Sequence, residues 1–280
     1  MRPRPFRLLR PETLEEALAA RREWGDRSAL LAGGQSLVPA MNAGRHRPEV
    51  VIDLKGIAGW GGVHADDTSL TIGALATHER VARLGAADLP TELAQVPEVA
   101  RATAPHPVRV RGTVVGNLTA GFRGAAWPAV LGAYGARVGM RHVERGVAAV
   151  GVHEAPGLAS EGWIATEIVV PAGHRIGRAE VRVRASGRSY RVTCAMAHHA
   201  GGGADVWLCG LTSSATHDRV EDLSDDDLTH LAQGRAGQVE ASPRRTESGA
   251  DPETDERDLW HAATRTVLRR ARTELEENTR

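Results

Sequence analysis

Apolar residues recur at helical spacing between residues 11 and 25, where Leu14, Ala17 and Leu18 share one face; Pro11 suits the first turn and Thr13 a cap, so the pattern predicts an amphipathic helix. A short apolar strand at 29–31 follows. The run Glu49 to Leu54 (EVVIDL), entered after Pro48, is continuous and β-branched, as expected of a strand buried on both faces. Residues 1–56 therefore read as βαβ-like units with parallel pairing. From Gly61 to Thr77 the grain changes to alternation, with Val63, Leu70, Ile72 and Ala74 separated by polar residues and broken at Asp66-Asp67, which predicts a hairpin. Helical patterns cover 80–84 and 91–103, and strands are predicted at 108–115, 137–143 and 163–170. Residues 57–175 thus form a mixed α+β lobe. A third region, 176–280, holds strand-like runs at 181–184, 191–197 and 206–211, with Gly201-Gly202-Gly203 as a flexible turn. It continues through a polar stretch, Gln238 to Glu256, predicted to be mobile, and closes on a helix over 258–276 with Leu259, Ala262, Ala263 and Val267 on one face. No internal repeat is visible.

Composition narrows the function. Lys and Arg together balance Asp and Glu at 35 each, so no basic field gathers nucleic acid or anionic lipid. No window approaches eighteen apolar residues and the first ten residues lack an apolar signal core, so no membrane span and a cytoplasmic location are expected. Lys55 is the one lysine, which leaves almost no scope for lysine Schiff-base or general-base chemistry. The only cysteines, Cys194 and Cys209, are too few for an iron–sulfur cluster or a four-cysteine zinc site. The adjacent pair His198-His199 would point to opposite faces of a strand and makes a poor bidentate ligand, so no metal is expected. Redox chemistry here needs an organic cofactor.

Two glycine-bearing segments are the candidates for holding one. Ala32, Gly33, Gly34, Gln35 and Ser36 lie between an apolar strand and a predicted helical turn at 37–42. Glycine backbones allow close approach and can aim successive N–H groups at an anion, with the Ser36 hydroxyl as a further donor. Taken alone, such a pair more often marks a tight turn. About eighty residues later Thr113, Val114, Val115, Gly116 and Asn117 supply similar ingredients after Gly112. Two loops from different lobes can clamp a pyrophosphate, which makes a dinucleotide the expected ligand.

These segments, with Arg10-Pro11, VIDLKGI at 51–57, LTIGALATHERV at 70–81 and HPVRVRGT at 106–113, resemble the FAD-binding medium subunit of the molybdenum hydroxylases, the group of carbon monoxide dehydrogenase and xanthine dehydrogenase. The resemblance covers residues 1–140 strongly and fades beyond. It implies an α+β fold: a two-lobed FAD-binding domain of the PCMH/vanillyl-alcohol-oxidase-like type, and a smaller C-terminal domain with a three-stranded antiparallel sheet and helices. It implies FAD held by residues 32–36 and 113–117, with Thr77 a possible contact or a mere helix cap, and Tyr190 either a cover for the flavin or ordinary packing. It also implies iron–sulfur and molybdenum-cofactor partner subunits, with electrons passing from the iron–sulfur partner through FAD to an external acceptor.

The departures keep other readings open. Val115 stands where the family has a second glycine, and after Leu118 the family's acidic contacts are missing, the chain reading Thr119, Ala120, Gly121, Phe122, Arg123. A stand-alone FAD-dependent oxidoreductase acting on a small organic substrate, or a non-catalytic relic subunit, would accommodate those losses. No catalytic side chain is identified.

Overall fold

Three short strands near the start of the chain pair in parallel, and their order departs from their sequence. The structure is a computed structural model that describes residues 4–122, 124–173, 175–185, 188–199, 203–211, 215–236 and 252–279. Strand β1 (Arg7–Leu9) is followed by helix α1 (Leu14–Trp24), β2 (Ser28–Leu31), α2 (Leu37–Asn42) and β3 (Val50–Asp53). The sheet order is β1-β3-β2, with Leu8 opposite Val51 and Leu30 opposite Ile52. All four residues of the middle strand are buried, which is why it reads as an unbroken apolar run. Helix α1 starts where Thr13 accepts from the Glu16 N–H (3.2 Å) and buries Ala17 against Val50 and Ile52.

The chain then builds the hairpin of β4 (Val63–Ala65) and β5 (Ser69–Gly73), the helices α3 (His78–Ala82) and α4 (Gln95–Ala102), and two short helices, α5 (His106–Arg109) and α6 (Val114–Thr119). Contrary to the expectation from sequence, 108–115 is not a strand. The alternation of Val108, Val110 and the arginines mimics one, but Pro107 lies in the first turn of α5, and Thr113 is the extended cap of α6, its hydroxyl accepting from the Gly116 N–H (3.0 Å). Helix α7 (Trp127–Ala133) comes next, then β6 (Arg137–His142), β7 (Gly146–Gly151), α8 (Ala155–Ser160) and β8 (Ile164–Pro171). Strands β4 to β8 form one antiparallel sheet in the order β4-β5-β8-β6-β7. In β5 the buried Leu70 and Ile72 alternate with polar neighbours, each such side chain being worth about 1.5–3 kcal/mol.

The last region contains β9 (Ile176–Ala185), β10 (Arg188–His198), β11 (Ala204–Cys209), β12 (Thr216–Val220), α9 (Asp225–Ala236) and α10 (Pro252–Thr279). The sheet has four strands rather than three, in the order β12-β11-β10-β9. The extra strand, THDRV, is an edge strand whose polar residues hide it from a hydrophobicity pattern. One face buries Val192, Cys194, Met196, Val206 and Leu208 against Leu228, Val267, Leu268 and Leu275 of the two helices. On the other face α7 meets Trp207, the ring lying 2.5 Å from where a side chain on Gly132 would begin. Of the predicted glycine turn, Gly201 and Gly202 lie outside the described residues, as does most of the polar stretch from Gln238; its end, from Pro252, belongs to α10.

By contacts the chain divides into two units: residues 1–120 with 135–172, and residues 121–134 with 173–280. The sequence boundaries at 56 and 175 thus place the first two lobes, apart from 121–134 and 173–175, in one unit.

Candidate functional site

The two glycine segments meet within the first unit. Strand β2 ends at Leu31 beside Asp53, and the chain turns through residues 32–36 into α2. A Cβ on Gly33 would lie 2.1 Å from the Arg111 carbonyl oxygen and 2.9 Å from Gly112 Cα, so the backbones of the two segments are in direct contact. Gly34 takes a left-handed φ of +75°. A side chain there would be turned toward Val38 Cγ2 at 3.3 Å and Leu31 Cδ1 at 3.4 Å. The two glycines serve different ends, Gly33 admitting the second segment and Gly34 making the turn.

What this junction leaves unused defines its chemistry. Among the described residues the N–H groups of Gly33, Gly34, Gln35 and Ser36 donate no backbone hydrogen bond, whereas the Gly34 carbonyl accepts from Val38 N–H (3.1 Å). Ser36 occupies the cap position of α2 without a side-chain capping bond. Across the junction, His78 N–H donates to the Gly112 carbonyl (2.9 Å) and Val114 N–H to that of Ala76 (3.1 Å). This sets Thr77 and Thr113 opposite each other in an isolated antiparallel bridge. Both threonines are caps, Thr77 accepting from Arg80 N–H (3.2 Å), and each hydroxyl still has its proton to donate. The side chains of Val114 and Val115 are buried, so the Val115 methyls point into the unit and not out of the segment. The Gly116 position is crowded by the Thr113 hydroxyl at 2.6 Å. Asn117 Oδ1 is buried with no hydrogen-bond partner among the described residues.

Residues 32–36, 77 and 113–117 are therefore brought together. Tyr190 lies in the second unit, where its ring packs edge-on to Trp260 (5.3 Å between centroids, 67°). His199, from the adjacent histidine pair, reaches Asp205 at 2.7 Å, and His217 contacts the same carboxylate at 2.8 Å while stacking on Trp207. Burial pushes both thiols up, Cys194 well above its ordinary value and Cys209 to about 12. Neither is poised for redox exchange.

The resemblance places His78 beside Thr77 in the segment near the flavin, but assigns it no role. His78 is 3 % exposed, and its ring edge sits 3.3 Å from the Cβ position of Gly112, with Gln35 Cγ at 3.5 Å from the same point. Burial, then the nearby charge of Arg109, lowers its pKa to about 4. The folded protein thus keeps this imidazole neutral while the unfolded chain protonates it near 6.5. Stability from this group is complete above the unfolded value and is lost as pH falls from about 6.5 to about 4, amounting to about 3 kcal/mol at most. In His78→Gln the thermal midpoint is expected to flatten across that interval; an unchanged slope would show that another group carries it. Nothing local marks His78 as buried, and only the contact with Gly112 reveals it.

The cradle fits the diphosphate of a dinucleotide. It offers a row of unpaired amide donors and the Ser36, Thr77 and Thr113 hydroxyls, at a junction where the chain has no side chain to fill the space at Gly33. Asn117 Oδ1 is an acceptor and suits a ligand hydroxyl.

Residues 4–173 match the family model of the FAD binding domain in molybdopterin dehydrogenase. The chain is 34% identical over 148 residues to the caffeine dehydrogenase subunit beta of Pseudomonas sp. (strain CBB1), covering 52% of this chain and 49% of that protein. It is 32% identical over 136 residues to the carbon monoxide dehydrogenase medium chain of Afipia carboxidovorans, covering 49% and 46%. The matching segment spans about half the length of these relatives. A solved carbon monoxide dehydrogenase from Hydrogenophaga pseudoflava superposes with a TM-score of 0.75 at 22% identity over 98% of this chain and 100% of the other. The quinoline 2-oxidoreductase structure from Pseudomonas putida 86 gives 0.73 at 19%, with the same coverage of each chain. At those identities the likeness shows the fold. With its cradle and more than half its length matched, the chain belongs to the family of FAD-binding domains of molybdopterin dehydrogenases, a family of oxidoreductase subunits whose cofactor is FAD.

Proposed function

We propose that this chain is the FAD-binding electron-transfer subunit of a molybdenum hydroxylase-type oxidoreductase. It takes electrons from an iron–sulfur partner and delivers them to an external acceptor. The observation that carries the reading is the direct backbone contact of Gly33 with Arg111 and Gly112, which turns two separate glycine segments into one cradle. Residues 32–36 would hold the diphosphate through amides and the Ser36 hydroxyl, with the Thr113 hydroxyl facing it and Asn117 receiving a hydroxyl of the cofactor. FAD, when bound, accepts electron pairs and passes electrons on singly or in pairs. The chain's side chains need only hold and exclude: both cysteines are buried with raised pKa values, and His78 stays neutral. No helix among the described residues is long and apolar enough to cross a membrane.

The matched relatives bear the names of subunits, one a subunit beta and another a medium chain, which supports partner subunits for this chain too; the reading takes these to carry iron–sulfur clusters and molybdenum cofactor. A second reading, a stand-alone flavoenzyme, is favoured by one observation: after Leu118 the chain reads Thr119, Ala120, Gly121, Phe122 and lacks the acidic contacts of the resembled family. Expression with and without its genomic neighbours separates the two. The first reading expects yellow protein that co-purifies with an iron–sulfur protein and is reduced only through it. Yellow protein that oxidises a small organic substrate unaided would defeat the first reading, and colourless protein that resists reconstitution with FAD would defeat both.

A further inference from the structure

We propose that Arg109 and Glu79 are positioning residues for FAD, a clasp that sets the second segment of the cradle at the height where it meets Gly33. The inference rests on the assignment of the cradle to FAD.

The geometry is specific. Arg109 Nε donates to Glu79 Oε2 at 3.1 Å, and its Nη1 donates to the carbonyls of Arg101 (3.2 Å) and Ala104 (3.0 Å). Both side chains are largely covered, 19% and 17% exposed. One guanidinium therefore ties together α3, the end of α4 and α5. Ala104 is the one non-glycine among the described residues with positive φ, +56°. That conformation is unfavourable for a residue with a Cβ, and the Arg109 bond to its carbonyl helps hold it.

Three residues beyond Arg109 comes Gly112. The intervening turn is closed by Val110 N–H on the His106 carbonyl (3.1 Å) and Gly112 N–H on that of Val108 (2.7 Å). A turn bonded in this way moves as one piece. Consecutive residues of α3 grip it at two places, the His78 N–H at the Gly112 carbonyl and the Glu79 carboxylate at Arg109. The Arg111 carbonyl that abuts Gly33 lies between those grips. Glu79 is held below the ordinary carboxylate range, first by the Arg109 hydrogen bond and then also by Arg83, with the nearby charge of His106 adding to this, so the clasp is closed at neutral pH. Neither residue needs to touch the cofactor. They act through the backbone of residues 110–112.

The test uses the purified full chain without cofactor, with FAD as the probe. Arg109→Gln and Glu79→Gln are each expected to raise the FAD dissociation constant on the order of tenfold and to speed amide exchange at Arg111 and Gly112, with the far-UV circular dichroism unchanged. The double variant should bind no more weakly than the weaker single variant, because both remove one interaction. Arg83→Gln removes the other arginine on Glu79 (3.3 Å) without touching residues 106–112, and should bind FAD as the wild type does. Wild-type affinity in Arg109→Gln or Glu79→Gln overturns the inference, as does an equal loss in Arg83→Gln. If Arg109→Gln does not fold, Arg109→Lys keeps a charge opposite Glu79 and loses the fork to the two carbonyls; undiminished affinity there overturns it equally. A wild-type chain that binds no FAD would overturn the cofactor assignment instead, and the exchange comparison, which needs no FAD, still decides whether the clasp fixes the segment.

Discussion

Gly33→Ala is expected to abolish FAD binding and to lower the stability of the first unit by about 1–3 kcal/mol. The added methyl would start 2.1 Å from the Arg111 carbonyl oxygen and 2.8 Å from its carbon, distances at which one backbone must retreat. No flexible side-chain end is available to move aside. The turn of residues 106–112 is bonded internally and gripped from α3, so the two segments separate rather than adjust. The cradle then opens at the point where its amides converge. Gly34→Ala provides the comparison. Its methyl meets only ordinary or slightly tight contacts, and its cost is the left-handed backbone, about 1–2 kcal/mol, without a wedge between the segments. Thermal unfolding and an FAD titration of both variants decide the matter: a Gly33→Ala protein with wild-type midpoint and wild-type affinity would mean that the two segments are not in contact.

The second large effect lies in the other unit. Gly177, near the start of β9, faces the backbone of α10. A Cβ there would be 2.1 Å from the Ala271 carbonyl oxygen, 2.4 Å from the Leu275 nitrogen and 2.5 Å from Leu275 Cβ. Gly177→Ala must lift the helix from the sheet and loosen Val267, Leu268, Ala271 and Leu275 from their places against β10 and β11. A loss of about 3 kcal/mol or more follows, read as a shift in denaturant midpoint at constant slope. Gly234→Ala supplies the opposite sign. That glycine lies inside α9 with nothing within 4 Å of a Cβ, and alanine should stabilise by about 0.5–1 kcal/mol. A destabilised Gly234→Ala would show that glycine count, not Cβ crowding, governs this unit.

The first segment of the cradle was legible because its signals are local. An apolar run, two glycines, a serine and a helical turn follow one another, and β2 (Ser28–Leu31) and α2 (Leu37–Asn42) fall where the pattern puts them. The second segment was picked out by its composition and misread as structure. Thr113, Gly116 and Asn117 were identified, but the alternation of Val108 and Val110 with arginines outweighed Pro107 and the capping threonine. The partner that settles the conformation, Glu79, lies thirty residues upstream of Arg109, and no local pattern couples them. The same limit applies to Gly33: its sequence neighbours suggest a turn, and only Arg111 explains why no side chain fits. Strand β12 and strand β7 (Gly146–Gly151) escaped for opposite reasons, one too polar and the other too rich in glycine and alanine to show an alternating pattern.

The central place of β8 in its sheet governs the order of events during synthesis. Of the five strands, β8 is made last, yet it is the one that joins the β4-β5 hairpin to the β6-β7 hairpin. Until residues 164–171 leave the ribosome, the nascent chain holds two separate hairpins, and an isolated hairpin is marginal in water. The Ala74 N–H, just ahead of Thr77, donates to the carbonyl of Thr166 in this late strand (2.9 Å). The Thr77 side of the cradle is therefore synthesised long before the strand that backs it, whereas β3, which flanks β2 and the first segment, is already made by residue 53. A chain that stalls ahead of this strand leaves the β5 and β6 edges, which β8 pairs, exposed to its neighbours.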